Sequence, residues 1–145
     1  MKQILIIIAF LTAASFSSRA NDEHTVNPVV LKSFEKTFTN ACDVNWIESG
    51  EVYIAEFKFN NQVITAYYSS TGTLMGLKKN ILSTQLPVFL EASLKEQYKG
   101  YWITDLMEYG NQGETTYYVT LENADQTLVL KSSLNTWSLF HKAQK

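Results

Sequence analysis

Side chains capable of covalent or acid–base chemistry are sparse in this 145-residue chain, which has two histidines, His24 and His141, and one cysteine, Cys42. A hydrolase needs a nucleophile beside a base that a third group orients. One histidine sits in a polar N-terminal stretch and the other close to the end of the sequence. Neither position suits such a base, so no Ser/His or Cys/His mechanism is expected. Carboxylates occur in pairs as Glu48 with Glu51, Asp105 with Glu108, and Glu122 with Asp125. All flank expected turns or strand exteriors, where solvated acids are the ordinary outcome. Asn123-Ala124-Asp125 is too short for a calcium loop, and no His/Asp/Glu cluster has ligand spacing. The sequence therefore implies no metal, no cofactor and no enzyme.

The first twenty residues, MKQILIIIAFLTAASFSSRA, combine a basic start at Lys2, an apolar run from Ile4 to Leu11 and small residues at Ser18 and Ala20. This is the pattern of a secretory signal peptide, residues 1–20, followed by a flexible lead, residues 21–27. The apolar run is short for a membrane span, which needs roughly 20 residues. Cleavage removes Lys2 and Arg19, leaving 10 basic residues against 14 acidic ones, a formal charge of −4. An acidic mature chain argues against a nucleic-acid partner and against attraction to an anionic membrane surface. The expected location is the periplasm or the exterior, without membrane insertion after cleavage. A single cysteine excludes an internal disulfide and a thiolate-rich metal site. Cys42 itself reads as a small buried hydrophobe between a helix and a strand.

The elements that must position any site follow from two changes of period. Asn27-Pro28 is a helix start, and Val30, Phe34, Phe38 and Ala41 then recur about one turn apart, with Lys32, Glu35 and Lys36 facing water. Next come four strand candidates, VNWIES, EVYIAEFKFN, QVITAYYSS and TLMGLKKN, with Asn60-Asn61 as a tight hairpin turn. A second helix opens at Leu86-Pro87, with Leu86, Phe89, Leu90 and Leu94 on one side, and stops at Gly100. Four more strands follow, YWITDLMEY, ETTYYVTLEN, QTLVLKSS and NTWSLFHK. The expected fold is α+β, two tandem repeats of one helix plus a four-stranded antiparallel meander. Repeat one is 28–80 and repeat two 84–145, in one continuous unit 28–145. Phe57 and Phe59 are matched to Val119 and Leu121, and Ile64 and Ala66 to Leu128 and Leu130, with a turn two residues longer in the second copy.

Phe34 and Phe38, Val44-Asn45-Trp46, the segment AEFKFNNQVITAYYSSTGTL, Leu86-Pro87 and Tyr98-Lys99-Gly100 together resemble the beta-lactamase-inhibitor-like, or PepSY-like, family of proteins exported by Gram-negative bacteria. The resemblance implies a fold similar to the secreted beta-lactamase inhibitor protein, whose sheets form a concave face that grips a protein without chemistry. It departs in that the inhibitor uses disulfides, which this chain cannot form. No residues map one by one onto the inhibitory contacts, so inhibition of beta-lactamase is not carried over. The PepSY side of the resemblance implies restraint of proteases or envelope regulation.

Strand parity turns that expectation into residues. A two-residue turn at Asn60-Asn61 pairs Phe57 with Ile64, Ala55 with Ala66 and Tyr53 with Tyr68, which brings Tyr68 into the helix-side core. Lys58, Glu56, Ile54, Thr65 and Tyr67 then lie on the other face, with Tyr118, Thr120, Thr127, Val129 and Lys131 in the second half. This open face is the expected protein-binding surface, with Tyr67, Tyr118, Trp102, Lys131 and Lys58 as contact residues, because exposed aromatics concentrate binding energy. Trp46 and Trp137 are expected to pack against the helices. The alternative is a small-ligand binder or sensor with an apolar pocket between helix and sheet.

Overall fold

The computed structural model describes residues 26–145. The expected signal peptide, and the part of the lead that contains His24, lie outside the described residues. Helix α1 (Pro28–Thr37) begins as the sequence indicates: the Asn27 side chain accepts the Val29 N–H at 2.9 Å, and Pro28 occupies the first turn, where a missing N–H costs nothing. Four strands follow, β1 (Cys42–Ser49), β2 (Val52–Phe59), β3 (Gln62–Ser69) and β4 (Leu74–Asn80). After a 3-10 turn at Ser83–Gln85 come α2 (Val88–Gln97), β5 (Trp102–Asn111), β6 (Glu114–Glu122), β7 (Gln126–Ser133) and β8 (Thr136–Gln144). The eight strands pair antiparallel in chain order into one sheet. The two sets of four are joined edge to edge by β4 and β5, from Leu77 opposite Gly110 to Asn80 opposite Met107.

Each helix packs on the same face of this sheet through residues four apart. Val30, Phe34 and Phe38 meet Ala55, Phe57, Ala66 and Tyr68, with Trp46 and Tyr53 at the margin. Phe34 touches Phe57 edge-on with centroids 4.9 Å apart and Trp46 at 5.2 Å, so one ring anchors the helix to two strands. Under α2, Leu86 and Leu94 meet Leu106, Val119, Leu121, Leu128 and Leu130, and Leu90 is fully buried. Trp137 Nε1–H donates to the Leu90 carbonyl at 3.0 Å, tying α2 to the last strand. Both tryptophans expected against helices are there. Phe89 is a correction: it is exposed, because the buried stripe of α2 runs through Leu86, Leu90 and Leu94, and Phe89 lies about 100° away from it. Cys42 is a second correction. It is exposed, since it opens the edge strand β1 and no element lies outside it to cover it.

The register through Asn60-Asn61 is as the parity argument gives it, with Phe57 opposite Ile64, Ala55 opposite Ala66 and Tyr53 opposite Tyr68. Both asparagines take positive φ, 50° and 63°, the conformation a two-residue hairpin requires. In the second half Leu121 faces Leu128 and Val119 faces Leu130. The expected two-residue lengthening of that turn is therefore absent, and Phe57 corresponds to Leu121 rather than to Val119. The longer polar stretch is absorbed into the hairpin, where Asn123 Oδ1 accepts the N–H groups of Asp125 and Gln126, both at 2.9 Å. Register shifts place an extra residue in β1, β4, β5 and β8, the first and fourth strand of each half. Such bulges bend strands and add twist, which curls a sheet of this width.

Candidate binding face

Among the described residues no helix covers the second face of the sheet, yet its centre is buried. Cross-strand partners define it in rows: Ile54, Tyr67 and Gly76; then Glu56, Thr65, Lys78, Tyr109 and Thr116; then Asn80, Met107, Tyr118, Lys131 and Ser138. Tyr67 and Tyr118, expected to be exposed contact residues, are only 2% and 4% accessible. Their cover comes from their own face. Tyr109 leans across Gly76, where any Cβ would collide with its hydroxyl, and its ring meets Tyr67 at 6.2 Å. Tyr118 is met edge-on by Phe140 at 5.6 Å, and the Lys131 ammonium lies 5.8 Å from its centroid. Strand parity therefore assigns these residues to the right face, and large cross-strand neighbours on that face bury two that were expected to be exposed.

The electrostatics follow from that burial. Burial pushes the Tyr67 phenol far above the usual tyrosine value, and the neighbouring Tyr109 and Glu56 push in the same direction. Tyr109 and Tyr118 are raised by burial as well, Tyr118 with a contribution from Tyr109. All three are held as neutral phenols, polar tips on an aromatic layer. Lys58 stands at the rim in an exposed ion pair with Asp43 at 2.7 Å. That carboxylate hydrogen-bonds and attracts the Lys58 ammonium, raising its pKa. Asp43 reaches it from the bulge of β1, with φ of 54°. Trp102 is 52% exposed on the same face, opposite Glu122. Of the five expected contact residues, the structure thus separates two buried aromatics from three rim groups, Lys58, Trp102 and Lys131. Tyr109, Met107, Phe140 and Gly76 were not singled out from the sequence. The pairing of β4 with β5 that collects them is a long-range contact, and only the small residue at Gly76 hinted that a ring crosses there.

A hydrolytic arrangement would bring His141 near Cys42 or a serine. Cys42 is on β1 and His141 on β8, at opposite edges of the sheet. Among the described residues no three His, Cys, Asp or Glu side chains are grouped to hold a metal ion, and no helix is long and apolar enough to cross a membrane. The paired carboxylates are dispersed: Glu108 bonds Lys79 at 3.2 Å, Glu122 bonds Lys145 at 2.6 Å, and Glu48, Glu51, Asp105 and Asp125 are exposed. A cleft of about 330 Å³ lies between α1 and β1, lined by Leu31, Phe34, Phe38, Val44 and Trp46 with Glu35 and Thr39 at its polar side.

Neither a protein-family model nor a curated protein matches the chain. Its fold is similar to that of a BLIP-like protein from Bacteroides fragilis, with a TM-score of 0.67 at 18% identity over 80% of this chain and 84% of that one. A DUF2874 family protein from Bacteroides ovatus gives 0.73 at 14% identity over 86% and 89% of the two chains. A protein from Bacteroides eggerthii described as a candidate periplasmic protein gives 0.71 at 7% identity over 81% and 87%. At these identities the likeness is one of fold. It supports the beta-lactamase-inhibitor-like side of the expected resemblance and does not reach the PepSY side.

Proposed function

We propose that this chain is a non-catalytic exported binding module whose open sheet face grips a protein of the cell envelope or the exterior, inhibiting or regulating it. One observation carries the reading. A face that neither described helix covers is nevertheless packed at its centre by Tyr67, Tyr109, Met107 and Tyr118, while Trp102, Lys58 and Lys131 stand around it. A surface already ordered before binding loses little conformational freedom on association, which favours affinity. The rim groups make the contacts, and the buried tyrosines hold the shape. The likeness to BLIP-like and periplasmic folds supports binding and export, as does the N-terminal sequence.

In this reading residues 1–20 are a signal peptide, 21–27 a lead, and 28–145 one unit made of two copies of a helix-plus-meander element, 28–80 and 84–145. Val30, Phe34 and Phe38 in α1 match Leu90, Leu94 and Tyr98 in α2, and Phe38 and Tyr98 both cap their helices with an N–H to the residue four back. The bulges in the first and fourth strand of each half support the same duplication.

The test is affinity capture from the native envelope fraction. The triple change Lys58→Ala, Trp102→Ala, Lys131→Ala is expected to reduce a captured protein by about tenfold or more, since a few central and rim contacts dominate such interfaces. Equal capture by the triple variant at unchanged thermal midpoint would refute the open-face reading. The cleft between α1 and β1 favours a second reading, a small apolar ligand held against Phe34 and Trp46. That reading requires a change in Trp46 fluorescence on ligand addition, with no dependence on Trp102.

A further inference from the structure

We infer that Trp102 and Glu122 form a binding subsite for a primary ammonium or guanidinium group of the partner, and that Lys145 of this chain occupies it in the free protein. This deepens, and rests on, the reading of the open face as a protein-binding surface. Trp102 and Glu122 are cross-strand partners on β5 and β6, so an indole face and a carboxylate stand side by side on the open face. That pair is the recognition chemistry of an alkylammonium: ring quadrupole on one side, full negative charge on the other. The Lys145 ammonium lies 5.5 Å from the Trp102 centroid and 2.6 Å from Glu122 Oε2. The chain reaches that position by continuing the β7–β8 pairing one residue past Gln126 opposite Gln144, where the Lys145 N–H donates to the Asp125 carbonyl at 3.1 Å.

The internal cation therefore shows what the subsite accepts. It also shows that the subsite is exchangeable: Trp102 is half exposed, and the Lys145 and Glu122 side chains retain 42% and 27% of their accessibility. A solvated ion pair of this kind is held weakly, so an incoming lysine or arginine anchored by the rest of an interface can displace it. Asp105 and Asp125, both exposed in the same part of the molecule, add negative potential there. Lys145 then acts as a built-in competitor that lowers the apparent affinity of an incoming cation, while a partner that displaces it without supplying a cation leaves Glu122 unpaired.

The experiment uses the whole mature chain and the peptide acetyl-Gly-Lys-Gly-amide, with norleucine in place of lysine as the neutral control. The indole N–H resonance of Trp102, assigned by its loss in Trp102→Phe, is followed during titration. In Lys145→Ala a saturable shift is expected with a Kd of about 1–10 mM, at least about fivefold tighter than in the wild type. Adding Glu122→Gln to Lys145→Ala should abolish saturation, with the Trp46 and Trp137 resonances unmoved as evidence of intact folding. No saturable shift in Lys145→Ala, or an equal shift with the norleucine peptide, would overturn the cation subsite. That failure is separable from failure of the binding face, which is read by protein capture with the rim variants and does not use the peptide.

Discussion

The two faces of the sheet are both buried, but by different means. On the helix side, aliphatic and phenyl groups of one element press into another: Val30, Phe34 and Phe38 of α1 meet Phe57 and Tyr68, and Leu90 and Leu94 of α2 lie over Leu121 and Leu130. On the open side no described element lies above the strands, and aromatic rings cover one another, with Tyr109 crossing Gly76 beside Tyr67 and Phe140 against Tyr118. The first arrangement stabilises the fold through removal of apolar area from water. The second surrounds a packed aromatic layer with a mixed rim, so it can be packed and still be a surface for recognition. Burial alone is therefore a poor guide to which face is core.

The largest expected effect is on the helix side. Phe34→Ala removes a ring that contacts Phe38, Trp46 and Phe57, and should cost about 3–5 kcal/mol in urea unfolding. Tyr67→Ala should cost nearly as much, about 2–4 kcal/mol, because the open-face layer is a true packing layer. A loss below about 0.5 kcal/mol, the ordinary surface value, would mean that Tyr67 is not packed and that the two faces differ as a flat sheet would have them. Gly76→Ala should cost about 1–2 kcal/mol, since Tyr109 must move off its neighbour to admit a Cβ. The change is also expected to loosen Tyr67 and to leave the α2 cluster unaffected.

High pH should also weaken the fold, through Tyr67 on the open face and, again by burial, through Tyr68 on the helix side. A tyrosine whose folded pKa is raised above its unfolded value is protonated in the folded state where the unfolded chain ionises. Its contribution is fully present below the unfolded pKa, near 10.0, and is lost as pH rises above that value toward the folded pKa. Wild-type stability should therefore fall between about pH 9 and pH 11, and Tyr67→Phe should flatten that fall. Smallest of all is the rim: Asp43→Asn breaks a solvent-exposed pair with Lys58 and should leave the thermal midpoint unchanged within error.

Much of this was legible locally. The alternation around Asn60-Asn61 gave the strand register and the face of Tyr68, and four-residue spacing gave the buried side of α1. The Cys42 and Phe89 expectations failed because their surroundings are set by neighbours distant in sequence: an uncovered edge in one case, the rotation of α2 about its own axis in the other. The depth of Tyr67 and Tyr118 failed for a related reason. Parity assigns a residue to a face, but large cross-strand neighbours on that face decide whether it is exposed there.

The most direct test of the binding-face account places a photo-crosslinking side chain at position 102 or 131 on the open face, or at position 89 on the helix side, in the exported protein in cells. The account predicts a protein adduct from positions 102 and 131 and none from position 89. An adduct from position 89 with none from 102 or 131 would contradict it.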